Sequence, residues 1–180
     1  SGATIDNWAG GTVTINSSNF FDNNQNGLDI FSSGAVNLNS VSANGNLGSY
    51  GIKIDTGGAI TLLNIKANDN KNSDPSNPVS GIHAYSLNGA VNVNGAVANG
   101  NSGKGLDIQS RGITIRNVIA RGNNESGLGL FFLSGTGLLE NVVASDNEGY
   151  GVYITHTKSV APVTLKTMIA NNNAGDGINV

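Results

Sequence analysis

The amino-acid sequence predicts an all-β protein built as a solenoid, in which short parallel strands stack coil upon coil. A motif of asparagine, glycine and two apolar residues spaced by two returns about every 24 residues. No segment shows the 3.6-residue apolar spacing of a helix. The composition agrees, because 26 glycines and a charged fraction of only 12% are typical of a turn-rich chain whose solubility depends on neutral polar side chains.

An asparagine opens each repeat, and in most repeats a glycine follows four residues later. The asparagines are Asn23, Asn46, Asn70, Asn101, Asn123, Asn147 and Asn173. The glycines are Gly27, Gly51, Gly81, Gly105, Gly127, Gly151 and Gly177. The asparagine spacing is 22 to 26 residues, with one interval of 31 in the third repeat. The period therefore predicts about seven coils.

Three short strands are predicted in each coil, because apolar pairs spaced by two recur at three places. In the coil that begins at Asn101 these places are residues 106–108, 113–115 and 118–120. A spacing of two gives a strand with one buried face. Three such strands without a helix cannot form βαβ units, and we therefore expect a parallel β-helix.

The recurring asparagine has a structural explanation in such a fold. Stacked coils lie about 4.8 Å apart, so each side-chain amide can donate to and accept from the same asparagine of the next coil. The glycine that follows is expected to permit a tight, left-handed bend into the next strand. An array of ligand-binding amides is the alternative. The return of the asparagine in every coil favours an internal ladder.

The segment NVIARGNNESGLGL, residues 117–130, resembles the right-handed parallel β-helix repeat of the pectin-lyase-like superfamily. This superfamily includes polysaccharide lyases, polygalacturonase-like hydrolases, phage tailspikes and long bacterial surface proteins. The resemblance covers residues 11 to 180. It implies right-handed coiling, and the length of 180 residues predicts a single β-helix domain over residues 1–180. The resemblance does not specify a function, because one fold carries many unrelated sites.

The best catalytic candidates lie on one outward column, between the two apolar residues that follow each glycine: Asp29, Lys53, His83 and Asp107. The resemblance implies two kinds of chemistry, since hydrolases of the superfamily place carboxylates on adjacent coils and lyases combine carboxylate-bound calcium with an Arg or Lys base. Asp29 and Asp107 are three coils apart, about 14 Å, which is too far for hydrolysis by a carboxylate pair. Solvated polar residues on a sheet face are the alternative.

An insertion interrupts the third coil at residues 71–80 and contains two of the three prolines. A loop that departs from the repeat of a solenoid is a candidate binding feature, and Asp69 and Asp74 are candidate calcium ligands. The alternative is a surface insertion that the fold tolerates at low entropic cost.

Four consecutive coils place a β-branched apolar residue on an outward position of the third segment: Val97, Ile119, Val143 and Ile169. We call these four residues the apolar strip. It predicts either a surface that another chain covers or side chains that pack laterally on one another.

Charge and hydropathy exclude some partners. A net charge of -3 with only nine Lys and Arg argues against nucleic acid, and no apolar run is long enough for membrane insertion. No cofactor is expected, and the absence of cysteine rules out disulfides and thiolate sites.

These features predict a non-catalytic spacer or adhesive segment of a bacterial cell-surface or secreted protein, located outside the cell. The repeat is regular up to Val180, so we expect the solenoid to continue in a longer protein. Expected partners are neighbouring β-helix segments, other copies of the chain, or polysaccharide. The alternative is a carbohydrate-active enzyme, either a polysaccharide lyase or a glycoside hydrolase, or a glycan-binding module of the same fold.

Overall fold

The computed structural model describes residues 1–72, 74, 76–157 and 162–180. Its strands are β1 (Ala3–Asn7), β2 (Val13–Asn16), β3 (Leu28–Ser32), β4 (Val36–Asn39), β5 (Ile52–Thr56), β6 (Ile60–Lys66), β7 (Ile82–Ser86), β8 (Ala90–Val97), β9 (Leu106–Ser110), β10 (Gly112–Arg121), β11 (Leu128–Phe132), β12 (Gly137–Ser145), β13 (Val152–His156), β14 (Val163–Ile169) and β15 (Ile178–Asn179). No helix among the described residues is long and apolar enough to cross a membrane.

The strands form two parallel sheets in which neighbours are one coil apart in sequence. The eight-stranded sheet runs β1-β3-β5-β7-β9-β11-β13-β15, and the seven-stranded sheet runs β14-β12-β10-β8-β6-β4-β2. Equivalent residues of successive coils are direct partners, as for Leu28 with Ile52 and Ile52 with Ile82. The predicted parallel solenoid of about seven coils and its register are confirmed.

The second and third segments of a coil join into one bent strand from β6 onward. In β10 the bend lies at Asn117, whose φ is 54°. The same position has positive φ, between 46° and 75°, in all seven coils: Ser17, Ser40, Asn64, Gly95, Asn117, Asn141 and Thr167. A single left-handed residue turns the strand without ending it, so each coil has three faces but only two sheets.

Alternating burial builds one continuous core along the stack. The two apolar residues that follow the glycine, such as Leu106 and Ile108, are buried from β3 to β13. Side chains from the other sheet, such as Ile113 and Val118, meet them from the opposite side. Full burial of each Leu, Ile or Val stabilises the fold by about 1.5–3 kcal/mol.

The asparagine ladder is confirmed. Each amide nitrogen donates to the side-chain oxygen of the next asparagine, at 2.8–3.0 Å over six steps from Asn23 to Asn173. The same oxygen also accepts the backbone N–H of the preceding asparagine, at 3.0–3.1 Å. The five central side chains are buried.

The expectation of a left-handed bend at the glycine was wrong in position. Gly27, Gly105 and their equivalents do not have positive φ. The left-handed residue instead comes directly before the ladder asparagine, with φ between 52° and 65°: Asp22, Gly45, Asp69, Gly100, Gly122, Asp146 and Asn172. The later glycine is required by close packing, because a Cβ at Gly105 would lie 2.6 Å from the Gly127 carbonyl oxygen.

Candidate functional site

The outward face of the eight-stranded sheet carries the predicted catalytic column. Strand pairing places Asp29 of β3, Lys53 of β5, His83 of β7 and Asp107 of β9 side by side in that order. Asp29 and Asp107 are therefore three strands apart, as the sequence predicted. Whether these residues have a catalytic role stays a prediction.

His83 lies between two carboxylates. Its Nδ1 is 3.3 Å from Asp107 Oδ2 within the same column. Its Nε2 is 3.7 Å from Asp55 Oδ1, which belongs to the neighbouring outward column and the preceding coil. The Tyr50 ring covers the imidazole, with centroids 5.1 Å apart. Asp107, Asp55 and the Tyr50 ring thus surround the imidazole, and the His83 side chain is only 23% exposed.

Two lysines complete this charged cluster, which consists of Lys53, Asp55, His83, Lys104 and Asp107. Lys53 Nζ lies 2.9 Å from Asp55 Oδ2, and Lys104 Nζ lies 2.9 Å from Asp107 Oδ1. Each carboxylate thus contacts one lysine and His83.

Asp29 does not belong to the charged cluster. Its Oδ2 accepts a hydrogen bond from Asn26 Nδ2 at 2.7 Å. Its Oδ1 is buried and has no hydrogen-bond partner in the described part of the chain. Asp29 is thus the strand neighbour of Lys53, but none of the ion pairs of the described residues includes it.

Contacts within the charged cluster shift the pKa values of His83, Asp55 and Asp107 in favour of their charged forms. Burial alone would lower the pKa of His83, but the hydrogen bonds to Asp107 and Asp55 outweigh it and raise the pKa to about 9. Burial would raise the pKa of Asp107, and the contacts with His83 and Lys104 lower it. For Asp55 the His83 hydrogen bond is the main cause of a lowered pKa. At neutral pH the cluster holds an imidazolium between two carboxylates.

This arrangement is poorly suited to acid–base catalysis. A general base needs a pKa near the working pH and access to the proton that it removes. His83 is protonated at neutral pH, and Asp55 and Asp107 face its ring nitrogens instead of each other. The chemistry that the cluster supports is charge pairing between adjacent coils.

Aromatic side chains occupy the second outward column of the same sheet. Pairing gives the order Phe31, Asp55, Tyr85, Gln109 and Phe131, so an aromatic ring stands on every second strand. We call these five residues the aromatic column. Aromatic rings therefore recur at about 10 Å along the stack, twice the strand spacing.

Two shallow cavities lie along the aromatic column. The first has a volume of about 240 Å³, and its lining includes Trp8, Asp55, Tyr85 and Leu87. Trp8 is 66% exposed and stacks on Phe31, with ring centroids 6.4 Å apart.

The second cavity, of about 290 Å³, lies where Gly129 interrupts the outward column. Its lining includes Asp107, Gln109, Phe131 and Tyr153. Tyr153 stacks on Tyr150, with centroids 5.2 Å apart. The second cavity thus combines aromatic rings with hydrogen-bonding groups, whereas the accessible wall of the first cavity is almost entirely apolar.

Sequence reasoning did not include Lys104 or the aromatic column in the site. Lys104 comes three residues before Asp107 and reaches it from the turn. The aromatic column could have been found, because Phe31, Tyr85 and Phe131 each stand two residues after an outward residue of the first column.

The calcium candidates have other contacts. Asp74 Oδ1 accepts the backbone N–H and the hydroxyl of Ser76, at 2.9 and 2.6 Å. Asp69 leans over the next coil, where a Cβ on Gly100 would lie 2.5 Å from its Oδ1. Among the described residues no group of three or more His, Cys, Asp or Glu side chains is placed to hold a metal ion. Calcium binding at these residues stays a prediction, and Ser73 and Pro75 of the insertion lie outside the described residues.

The apolar strip has the expected register on the seven-stranded sheet. Val97 pairs with Ile119, Ile119 with Val143, and Val143 with Ile169. Ile119 is 38% and Ile169 is 48% exposed. The same outward column carries the polar residues Lys66 and Ser42 in the preceding coils, so the apolar strip ends at Val97.

Stacked parallel coils, an internal asparagine ladder and outward columns define a parallel β-helix protein. The chain belongs to the family described as the right-handed β-helix region, whose model matches residues 71–180. The right-handed coiling implied by the resemblance is thus confirmed. No curated protein and no solved structure matches the chain significantly.

Proposed function

We propose that the chain is a non-catalytic β-helix segment of a bacterial cell-surface or secreted protein, acting as a rigid spacer. The observation that carries this proposal is the charged cluster, in which His83, Asp55 and Asp107 are engaged with one another and with two lysines. Catalytic carboxylates need a free partner or an activated water, and here the imidazolium occupies that position.

Rigidity supports the spacer role. The ladder links consecutive coils from Asn23 to Asn173 without a break, and the core is continuous beside it. In a stacked array each coil stabilises its neighbours, so the segment holds a fixed length. An extracellular location belongs to the same proposal.

Incubation with acidic and neutral polysaccharides tests this role. We expect no new reducing or unsaturated ends, for the wild type and for Asp107→Asn alike. Cleavage by the wild type that Asp107→Asn abolishes would contradict the proposal and favour a lyase or hydrolase.

A second candidate function is adhesion to a glycan through the aromatic column, and it is compatible with the first. A sugar ring presents an apolar face to an aromatic side chain and hydroxyls to polar neighbours. In a polysaccharide extended along the stack, each ring would advance by about one strand spacing, 4.8 Å. Alternate rings could then stack on Tyr85 and Phe131, with Gln109 between them, whereas Phe31 already contacts Trp8 and Lys53, whose Nζ lies 4.3 Å from the ring centroid.

Calorimetric titration with extended, equatorially linked oligosaccharides tests the adhesive role. Tyr85→Ala should weaken binding roughly tenfold, which corresponds to about 1.4 kcal/mol for a lost ring contact. Phe21→Ala is the matched control, because Phe21 is an exposed aromatic residue outside the column. Equal losses in the two variants, or no binding by the wild type, would contradict adhesion through this column.

A further inference from the structure

The chain contains five Asn-Gly dipeptides, at residues 26–27, 44–45, 88–89, 94–95 and 99–100. Because glycine has no side chain, its amide nitrogen can approach the carbonyl carbon of the preceding asparagine side chain more closely than in other dipeptides. This approach is the first step of deamidation. The fold holds the five dipeptides in different ways.

Two of them are held by the backbone of the next coil. Asn44 Oδ1 accepts the N–H of Asn68 at 2.8 Å, and Gly45 N donates to the Asn68 carbonyl at 3.0 Å. Residues 99–100 are held in the same way by Arg121, at 2.9 Å for both bonds. In both dipeptides the attacking glycine nitrogen must give up a hydrogen bond to a backbone carbonyl of the next coil before it can react.

Two more are also restrained. Asn26 Oδ1 accepts the N–H of Tyr50 at 2.9 Å, while Gly27 N donates to the Tyr50 carbonyl at 3.1 Å. The restraint on residues 94–95 is of another kind: Asn94 Oδ1 accepts from Asn117 Nδ2 at 2.7 Å, and Gly95 is the left-handed bend residue inside β8, so paired strand residues on both sides fix its backbone.

Asn88 and Gly89 form an exposed turn between β7 and β8, and their contacts differ. Gly89 N donates to the hydroxyl oxygen of Ser86 in its own turn, at 3.0 Å. Asn88 Oδ1 accepts from the guanidinium of Arg111 on the next coil, at 3.1 Å. The attacking nitrogen is thus held by a side chain and not by a neighbouring coil's backbone.

We propose that Asn88 is the site at which the folded chain deamidates first, and that Arg111 activates it. The Gly89 nitrogen bonds to Asn88 Cγ, the Cγ–Nδ2 bond breaks, and ammonia leaves with the proton from Gly89. One water then opens the cyclic imide and leaves aspartate or isoaspartate at position 88. One water is consumed and one ammonia is released, with no change in oxidation state.

Arg111 contributes at the atom where charge develops. Attack on Cγ places negative charge on Oδ1, the oxygen that the Arg111 Nη2 already contacts. A second bond from Arg111 Nε to the Leu87 carbonyl, at 3.3 Å, holds the guanidinium over the turn. The carboxylate produced faces the same guanidinium, so the product gains an ion pair that the asparagine lacked.

Peptide mapping by mass spectrometry, after incubation in mildly alkaline buffer, measures the rate at all five sites. We expect Asn88 to react roughly tenfold faster than the others in the folded chain. A single oxyanion donor contributes about 10²–10³ in an enclosed active site, and because this one is exposed we expect Arg111→Ala to slow the reaction by roughly tenfold. Arg111→Lys should be intermediate, because it keeps the charge but loses the fork geometry.

Arg121→Ala is the matched control, since Arg121 is another exposed arginine and its contact with residues 99–100 uses backbone atoms. Thermal melts of each variant verify that the coils remain folded. In denaturant the five sites should react at similar rates. The proposal is overturned if the folded chain deamidates equally at the five sites, or if Arg111→Ala reacts at position 88 as fast as Arg121→Ala does.

Discussion

At the scale of single residues, the five central ladder asparagines satisfy all of their side-chain hydrogen-bonding groups inside the core. Asn123 Nδ2 donates to Asn147 Oδ1 and to the Ala98 carbonyl, at 2.9 and 3.1 Å. Its Oδ1 accepts from the side chain and the backbone of Asn101. A buried amide is tolerated only when its groups are paired, and the repeat supplies the same partners in each coil.

We therefore predict that Asn123→Leu lowers the free energy of unfolding by about 1–3 kcal/mol, because it leaves polar groups of Asn101 and Asn147 without partners. Asn173→Leu should cost less, since Asn173 is only half-buried and its Nδ2 donates to the Ala144 carbonyl but, among the described residues, to no further ladder asparagine. Chemical denaturation of the two variants measures the difference. Equal, negligible costs would show that the ladder does not support the core.

How far the sequence predicts the structure differs from residue to residue. The ladder was predictable because one residue type returns at one position. The left-handed position before each ladder asparagine is also recognisable in the sequence, because it is always Asp, Gly or Asn. The glycine after the ladder asparagine is present in every coil, and for that reason the left-handed bend was expected there. The contact between His83 and Asp55 was not predictable, since it joins two columns diagonally and depends on side-chain rotamers.

At the scale of strands and sheets, the strict one-coil register explains why outward columns could be listed from the sequence. Equivalent repeat positions pair in every strand pair, including those of β7, which follows the insertion at residues 71–80. The joining of the second and third segments could not be predicted, because a left-handed Asn or Thr at the bend resembles an ordinary turn residue.

The apolar strip provides a prediction at this scale. Replacing Ile119 and Val143 by Thr keeps β-branching and adds polarity, so the strands should remain intact while association through the strip weakens. Sedimentation of the wild type and the double variant at matched concentrations measures this. If both are monomeric at every concentration, the strip is laterally packed surface and the partner hypothesis fails.

At the scale of the whole molecule, fold and function are predictable to different degrees. The fold follows from a period that every coil repeats, and the family match supports it independently. The function depends on outward side chains that differ from coil to coil. For this reason the sequence could supply Asp29, Lys53, His83 and Asp107 as candidates but could not show that Asp29 lies outside the charged cluster.

The proposed absence of catalysis depends on the charged cluster being closed in solution, which means that His83 stays paired with Asp55 and Asp107. The folded-state pKa of His83 is raised, so the cluster stabilises the fold fully below the ordinary value of about 6.5, and this contribution is lost as the pH rises through about 9. Asp107→Asn removes the strongest of the contacts that favour the imidazolium. The variant should therefore lower the pKa of His83 and reduce this stabilisation.

Titration of the His83 imidazole by NMR tests the central claim most directly. We expect a pKa of about 9 in the wild type and a clearly lower value in Asp107→Asn, with Lys166→Gln, an exposed charge on the other sheet, as the control. A wild-type pKa near 6.5 that Asp107→Asn does not change would show that His83 is free of its carboxylates. That result would contradict the closed cluster and return His83 to the candidate catalytic residues.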